Sequence, residues 1–194
     1  MPRTPRRRAP KSEFDQRTVE IARVARVVAG GRRFRFRASV VIGDRKGRVG
    51  YGIAKGADVS AALTKAANGA RRTMITVPMI GTTIPHDVVG KVGGAKVFLK
   101  PAPEGTGVIA GSAVRAVIEM AGIRDILSKR LGSGSKTNNM VATIAALKQL
   151  ESPEMIALQR GKKIEDLSFR IGKKKLSEVA ATAAPEVPVE ETQE

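Results

Sequence analysis

The stretch RFRFRASVVIGDRKGRVGYGI, residues 33–53, governs how the rest of the chain is read. Its first half alternates with a period of two. Phe34, Phe36, Ala38, Val40 and Ile42 share one face, and Arg33, Arg35 and Arg37 share the other. That pattern predicts a half-buried strand with a basic outer face, the two phenylalanines belonging to the core. GDRKG (43–47) has the composition of a turn. In GRVGYGI (47–53), Val49, Tyr51 and Ile53 oppose Arg48, Gly50 and Gly52. The missing side chains at Gly50 and Gly52 allow another backbone to approach closely. The two runs and the turn between them predict a hairpin.

Working outward, ADVSAALTKAANGARRTM (57–74) repeats Val59, Ala62, Leu63, Ala66 and Ala70 at helical spacing. Asp58 suits its N-cap, and Arg71 and Arg72 suit its last turn. It predicts a helix packed on the sheet. TIPHDVVGKV (83–92) and AKVFLKP (95–101) read as two further strands around Gly93-Gly94. On the other side, RTVEIARVARVV (17–28) is ambiguous. Ile21, Val24 and Val28 fit a helical stripe, whereas the β-branched content and the following Gly30-Gly31 fit a strand.

KPAPEGTG (100–107), with its prolines and glycines, predicts a boundary between two units. In the second unit, GTGVIAG (105–111) leads to Ser112 as an N-cap and a helix over 112–122, ended by Gly122. IRDILSKRLG (123–132) is strand-like or mixed. GSGSKTNN (132–139) predicts a loop, and MVATIAALKQL (140–150) a second helix. Ser152-Pro153-Glu154 opens a third short helix over 152–162.

Composition narrows the chemistry. The 194 residues include 35 Lys+Arg and 18 Asp+Glu, a net charge of +17, with no Cys and one His. Disulfides, thiolate metal sites and Cys nucleophiles are excluded. His86 stands beside Asp87 without an evident nucleophile or metal partner, so no catalytic centre, metal or cofactor is expected. No apolar run reaches the length of a membrane span, and no membrane partner is expected. The charge is uneven. Residues 1–55 hold 16 bases against 4 acids, while 176–194 hold no base and five Glu. The expected organisation is a disordered basic arm (1–13), an α/β unit (14–100), a second α/β unit (105–172) and a disordered acidic tail (176–194).

Such a balance predicts a polyanionic partner. Arg32, Arg33, Arg35, Arg37, Arg45, Lys46 and Arg48 fall within seventeen positions that contain one acid, Asp44. A one-sign cluster repels itself, and arginine forks match phosphates. Aromatics are only 3% of the chain, which favours recognition of folded, phosphate-dense RNA by shape over stacking on single strands. GTGVIAG ahead of a helix is a candidate anion site or a tight turn. Ser133, Ser135 and Lys136 in GSGSKTNN suit RNA backbone contact or a mobile loop equally.

GRRFRFRASVVIGDRKGRVGYGIAKGADVSAALTKA (31–66) resembles the signature of the bacterial small-subunit ribosomal protein five family. So do NGARRTMITVP (68–78), GKVGGAKVFLKPAPEGTGVIAGSAVRAVIEMAGI (90–123) and GSGSKTNNMVATIAALKQLESPEM (132–155). The resemblance covers roughly 14–170. It implies an N-terminal domain similar to a double-stranded-RNA-binding domain and a C-terminal α/β domain with a left-handed βαβ crossover. It implies that 17–28 is a strand.

It also implies a cytoplasmic structural protein of the small ribosomal subunit that binds 16S-type rRNA and supports subunit assembly. Small-subunit proteins four and eight would be its neighbours. Messenger RNA would pass nearby at the entry channel, with effects on unwinding and decoding accuracy. The loop VVAGGRR (27–33) matches one that reaches RNA near the spectinomycin pocket, so Val28, Gly30, Gly31 and Arg32 inherit that role. Arg23, Arg26, Lys55, Arg71 and Arg72 inherit RNA contact as bases within the matched span. Two other classes compete: an RNA chaperone or regulator acting off the ribosome, and an ATP-using small-molecule kinase with GTGVIAG as its phosphate loop. The chain lacks the length and the catalytic constellation such a kinase needs.

Overall fold

The computed structural model describes residues 13–162. Expectations for the arm through residue 12, for the second unit beyond 162 and for the acidic tail lie outside the described residues.

The first sheet has the order β1-β2-β3-β4, all antiparallel, from β1 (Asp15–Val28), β2 (Gly31–Gly43), β3 (Arg48–Gly56) and β4 (Ile75–Thr76). Helix α1 (Val59–Arg72) joins β3 to β4. Segment 17–28 is therefore strand. Asp58 occupies the α1 N-cap position, but its side chain makes no capping bond.

The second sheet has the order β5-β6-β8-β7, from β5 (Val88–Val92), β6 (Ala95–Pro101), β7 (Val108–Ile109) and β8 (Ile126–Gly132). Helix α2 (Ser112–Ala121) connects β7 to β8, which lie parallel and adjacent as a βαβ unit. Helices α3 (Lys136–Lys148) and α4 (Pro153–Arg160) follow. The fold class is α+β.

The division between sheets differs from the expectation. β5 and β6 pair with β8, so the break falls in 77–87 rather than at 100–107. The prolines and glycines of 100–107 instead form a loop inside the second unit, where β6 turns back toward β7.

Both faces of the central strand are used. From Ala38 to Gly43 every residue of β2 is buried. Ala38, Val40 and Ile42 pack on Ala62, Ala66 and Ala70 of α1. Val41 and Val49 face the other way and join a larger core with α2, α3 and Val97 and Leu99 of the second sheet. The layers run α1, first sheet, α2 with α3, second sheet. A one-sided alternation predicts one buried face, so the second was not expected.

Glycines set the spacing of these layers. A Cβ at Gly52 would collide with the Ala66 carbonyl, and one at Gly50 with the Ala70 carbonyl. The bare face of β3 is thus the seat of α1. Gly90 of β5 admits α3 in the same way, beside the Ala142 carbonyl.

Two helix starts are also corrected. The N-cap of α2 is Gly111, and Ser112 is already helical. Helix α3 starts at Lys136, inside the segment expected to be loop. Ser135 is its cap, its hydroxyl accepting a hydrogen bond from the Asn138 amide. Small polar residues read as loop when only the apolar stripe marks a helix. Gly122 ends α2 in the left-handed conformation, and Ser152-Pro153 opens α4, both as expected.

Candidate nucleic-acid interface

β1 and β2 continue past the globular body as a two-stranded ribbon. Their register runs to Val28 opposite Gly31, closed by the turn Ala29-Gly30. Gly30 has φ +82°, a left-handed position that a glycine adopts without strain. Beyond Phe36 the β2 side of the ribbon is exposed on both faces.

Phe34 corrects an expectation. It is half-exposed, and the Arg23 guanidinium lies 3.8 Å from the centroid of its ring. Phe36 alone of the pair packs on the α1 core, and only partly. Core-forming alternation holds only where a helix covers the strand, and α1 does not extend over the ribbon.

The register places bases against bases. Arg26 is directly opposite Arg33, and Arg37 is directly opposite Lys55 of β3. Arg26, Arg33, Arg35 and Lys55 line one shallow cleft with Val24 and Val28. Arg35 and Lys55 also line a second groove, which runs beside β3 to Lys65, Asn68 and Arg72 of α1. The two depressions meet at Arg35 and Lys55. Neither holds an acidic side chain. β4 pairs only with Arg48 and Val49, so it leaves the β3 edge along this groove without a strand partner.

Other bases of the expected set are engaged inside the fold. Arg37 pairs with Glu20 at 3.5 Å. Glu20 also accepts a hydrogen bond from the Thr137 hydroxyl (3.1 Å), and the buried Ser39 hydroxyl lies 3.3 Å from that same oxygen. With the Thr137 hydrogen committed to Glu20, Ser39 donates. This chain of contacts ties the start of α3, hence Ser135 and Lys136, to the base of the ribbon.

Arg45, Lys46 and Arg48 sit at the far end of β2, roughly 40 Å along the strand from the ribbon tip. The cluster of seven bases in sequence is therefore two groups in space. Arg45 pairs with Asp15 at 2.9 Å, and Arg48 Nε donates to Asp44 at 2.7 Å. Asp44 also accepts from the Lys46 and Arg48 amides. Burial raises the pKa of its carboxyl, but these bonds outweigh it and hold it below the usual value. The turn is built around its own acid. Its amides also serve α2: the Arg45 and Gly47 N–H groups donate to the Met120 and Ala121 carbonyls.

The structure thus sorts the expected bases. Arg26, Arg33, Arg35, Lys55 and Arg72 converge on the joined grooves. Arg32 lies at the ribbon tip, while Arg71 lies in the last turn of α1 outside the groove lining. Arg45, Lys46 and Arg48 form a separate, largely neutralised turn. Lys65 and Asn68 were not singled out from sequence. Their only signal was position on the face of α1 opposite its alanine stripe.

The glycine-rich GTGVIAG stretch already holds an anion of its own. The Gly107 amide donates to the Asp125 carboxylate at 2.9 Å, and Val108–Ile109 of the same stretch form β7. The neighbouring Thr82 hydroxyl dipole, the bonded Gly107 amide and the nearby Gly105 amide keep the Asp125 carboxyl below its ordinary pKa. His86 is structural. The Glu151 amide donates to its Nε2, so Nδ1 carries the proton and donates to the Asp87 carbonyl, not its carboxylate. Among the described residues there is no His/Cys/Asp/Glu cluster suited to a metal, and no helix is long and apolar enough to cross a membrane.

Comparison with known families finds two matches. Residues 14–78 match the family model of the ribosomal protein S5 N-terminal domain, and residues 90–160 match that of the ribosomal protein S5 C-terminal domain. The interval between them, 79–89, overlaps the break between the two sheets.

Proposed function

The chain belongs to the ribosomal protein S5 family, structural and non-enzymatic proteins of the small ribosomal subunit, and on that premise we propose that the joined grooves around Arg35 and Lys55 hold small-subunit rRNA. The observation that carries this reading is the placement of Arg26 against Arg33, in a cleft lined by Arg35 and Lys55 and by no acid. Like charges facing each other across strands are destabilising. Phosphates supply the opposite charge, and arginine binds them through paired N–H groups.

The exposed ribbon tip, Val28 to Arg32, reaches into rRNA beside these phosphate contacts. The same protein supports subunit assembly, touches small-subunit proteins four and eight, and stands near the messenger entry channel, where it bears on unwinding and decoding accuracy. The family resemblance supports these finer roles. Ser133, Ser135 and Lys136 add backbone contacts from the start of α3.

The test is binding of the full chain to small-subunit rRNA over a salt series. Replacing Arg26, Arg33 and Arg35 with Ala lowers the log–log salt slope by about 0.7–0.9 for each phosphate that the variant no longer neutralises. An unchanged slope overturns the assignment of these residues. A chaperone acting off the ribosome predicts a protein absent from small-subunit fractions of a sucrose gradient.

A further inference from the structure

The second sheet has a face that nothing in the described residues covers. Its inner face packs on α2 and α3. On the outer face, Val89, Phe98 and Lys129 form one cross-strand row, and Lys91, Lys96 and Leu131 the next. Val89 and Leu131 are 44% and 46% exposed. Lys91 is directly opposite Lys96. The two rows hold three lysines and no acid, so these lysines have no counter-charge within their own rows.

Its chemistry differs from that of the rRNA grooves. The charges are ammonium points among aliphatic and aromatic side chains, not arginine forks. Phosphate neutralises charge but leaves apolar surface exposed. A peptide that mixes carboxylates with small aliphatic residues satisfies both. The chain contains such a segment: EVAATAAPEVPVEETQE (178–194) has five Glu, four Ala, three Val and no base.

Reach permits the contact. Residue 162 is the last described, and the acidic segment opens at Glu178. Sixteen residues span at most about 55 Å, which exceeds the breadth of a domain of this size. Tethering also raises the local concentration of the segment to the order of millimolar.

We infer that the acidic segment 178–194 docks on the outer face of the second sheet, its glutamates on Lys91, Lys96 and Lys129 and its valines on Val89, Phe98 and Leu131. The inference is independent of the rRNA reading, because the residues are separate.

Carbodiimide cross-linking of the full chain, which joins carboxylates to lysine amines at zero length, tests it. An equal mixture of 15N-labelled and unlabelled protein is used, with peptides identified by mass. The expected result is that Glu178–Glu194 couple to Lys91, Lys96 and Lys129 within single chains, with a severalfold lower yield at about 0.5 M salt. The exposed-site variant V89D/L131D, which keeps the three lysine amines, gives those products in severalfold lower yield while other cross-links persist; an unchanged yield overturns the inference. Coupling of the segment mainly to Lys55 or Lys65, coupling only between differently labelled chains, or no coupling of the segment overturns the inference.

Discussion

Arg26 of β1 stands directly opposite Arg33 of β2 near the tip of an exposed ribbon. Like charges placed directly opposite each other on paired strands are destabilising. Replacing Arg33 with Thr, a good strand former, therefore leaves the free protein as stable or up to about 1 kcal/mol more stable. The same variant binds rRNA more weakly. Chemical denaturation and a binding titration on one preparation check both signs. A loss of stability would show that the pair is internally compensated.

Gly52 and Gly69 face each other where α1 crosses β3, yet they tolerate change differently. A Cβ at Gly52 meets the Ala66 carbonyl, whereas one at Gly69 lies 3.9 Å from the Gly52 Cα, an ordinary contact. Gly52→Ala forces α1 off the sheet and costs about 1–3 kcal/mol or more. Gly69→Ala replaces a helical glycine and gains up to about 1 kcal/mol. Thermal melts of the two variants should shift in opposite directions.

Asp125 makes the second unit sensitive to acid. Its carboxyl is lowered from the ordinary value of 3.8 by the nearby Thr82 hydroxyl dipole and by the Gly107 amide, which donates to it at 2.9 Å. A depressed folded-state pKa contributes stability above the unfolded value, lost as pH falls through the folded one. The protein should therefore lose stability between pH 5 and the acid limit more steeply than Asp125→Asn, which has no charge there to lose. Parallel denaturation curves across that range would refute the assignment.

Thr137 links α3 to the first sheet through Glu20 and Ser39. Thr137→Val keeps the shape but removes the donor to Glu20 and the acceptor for Ser39. Leaving the fully buried Ser39 hydroxyl unpaired costs about 1–3 kcal/mol. Thr137→Ser, which keeps the hydroxyl, should lose much less. Urea midpoints of the two variants measure the difference.

Much of this arrangement is legible along the chain. The glycines of GRVGYGI announced a close backbone neighbour, and α1 sits on them. Ser152-Pro153 announced a helix start. Phe34 misled because alternation reports periodicity, not coverage; whether a helix lies over a given pair of residues depends on α1 being shorter than the ribbon. The prolines and glycines of 100–107 marked an irregular segment but not its place in the topology, which strand pairing between β6 and β8 decides. The seven clustered bases looked like one patch because sequence proximity hides how far an extended strand carries its ends apart. Lys65 and Asn68 carried only the signal of their place on α1 away from its alanine stripe, and joined the groove when β3 brought Lys55 beside α1.

The docking of the 43–47 turn onto the end of α2 has a further consequence. Hairpin turns ordinarily absorb insertions and deletions, because their tips meet only water. Here Gly43 and Gly122 each sit where a Cβ would strike the opposite backbone, at the Met120 and Arg45 carbonyls. Adding or removing one residue would move the Arg45 and Gly47 amides off the last carbonyls of α2. The turn length is thus fixed by a helix some seventy residues downstream. Expressed separately, the two halves would each lack a surface: α2 would have bare terminal carbonyls, and the first sheet would present Val41 and Val49 to solvent. Splitting the chain between its two matched segments should yield fragments that aggregate alone and recover order only when mixed.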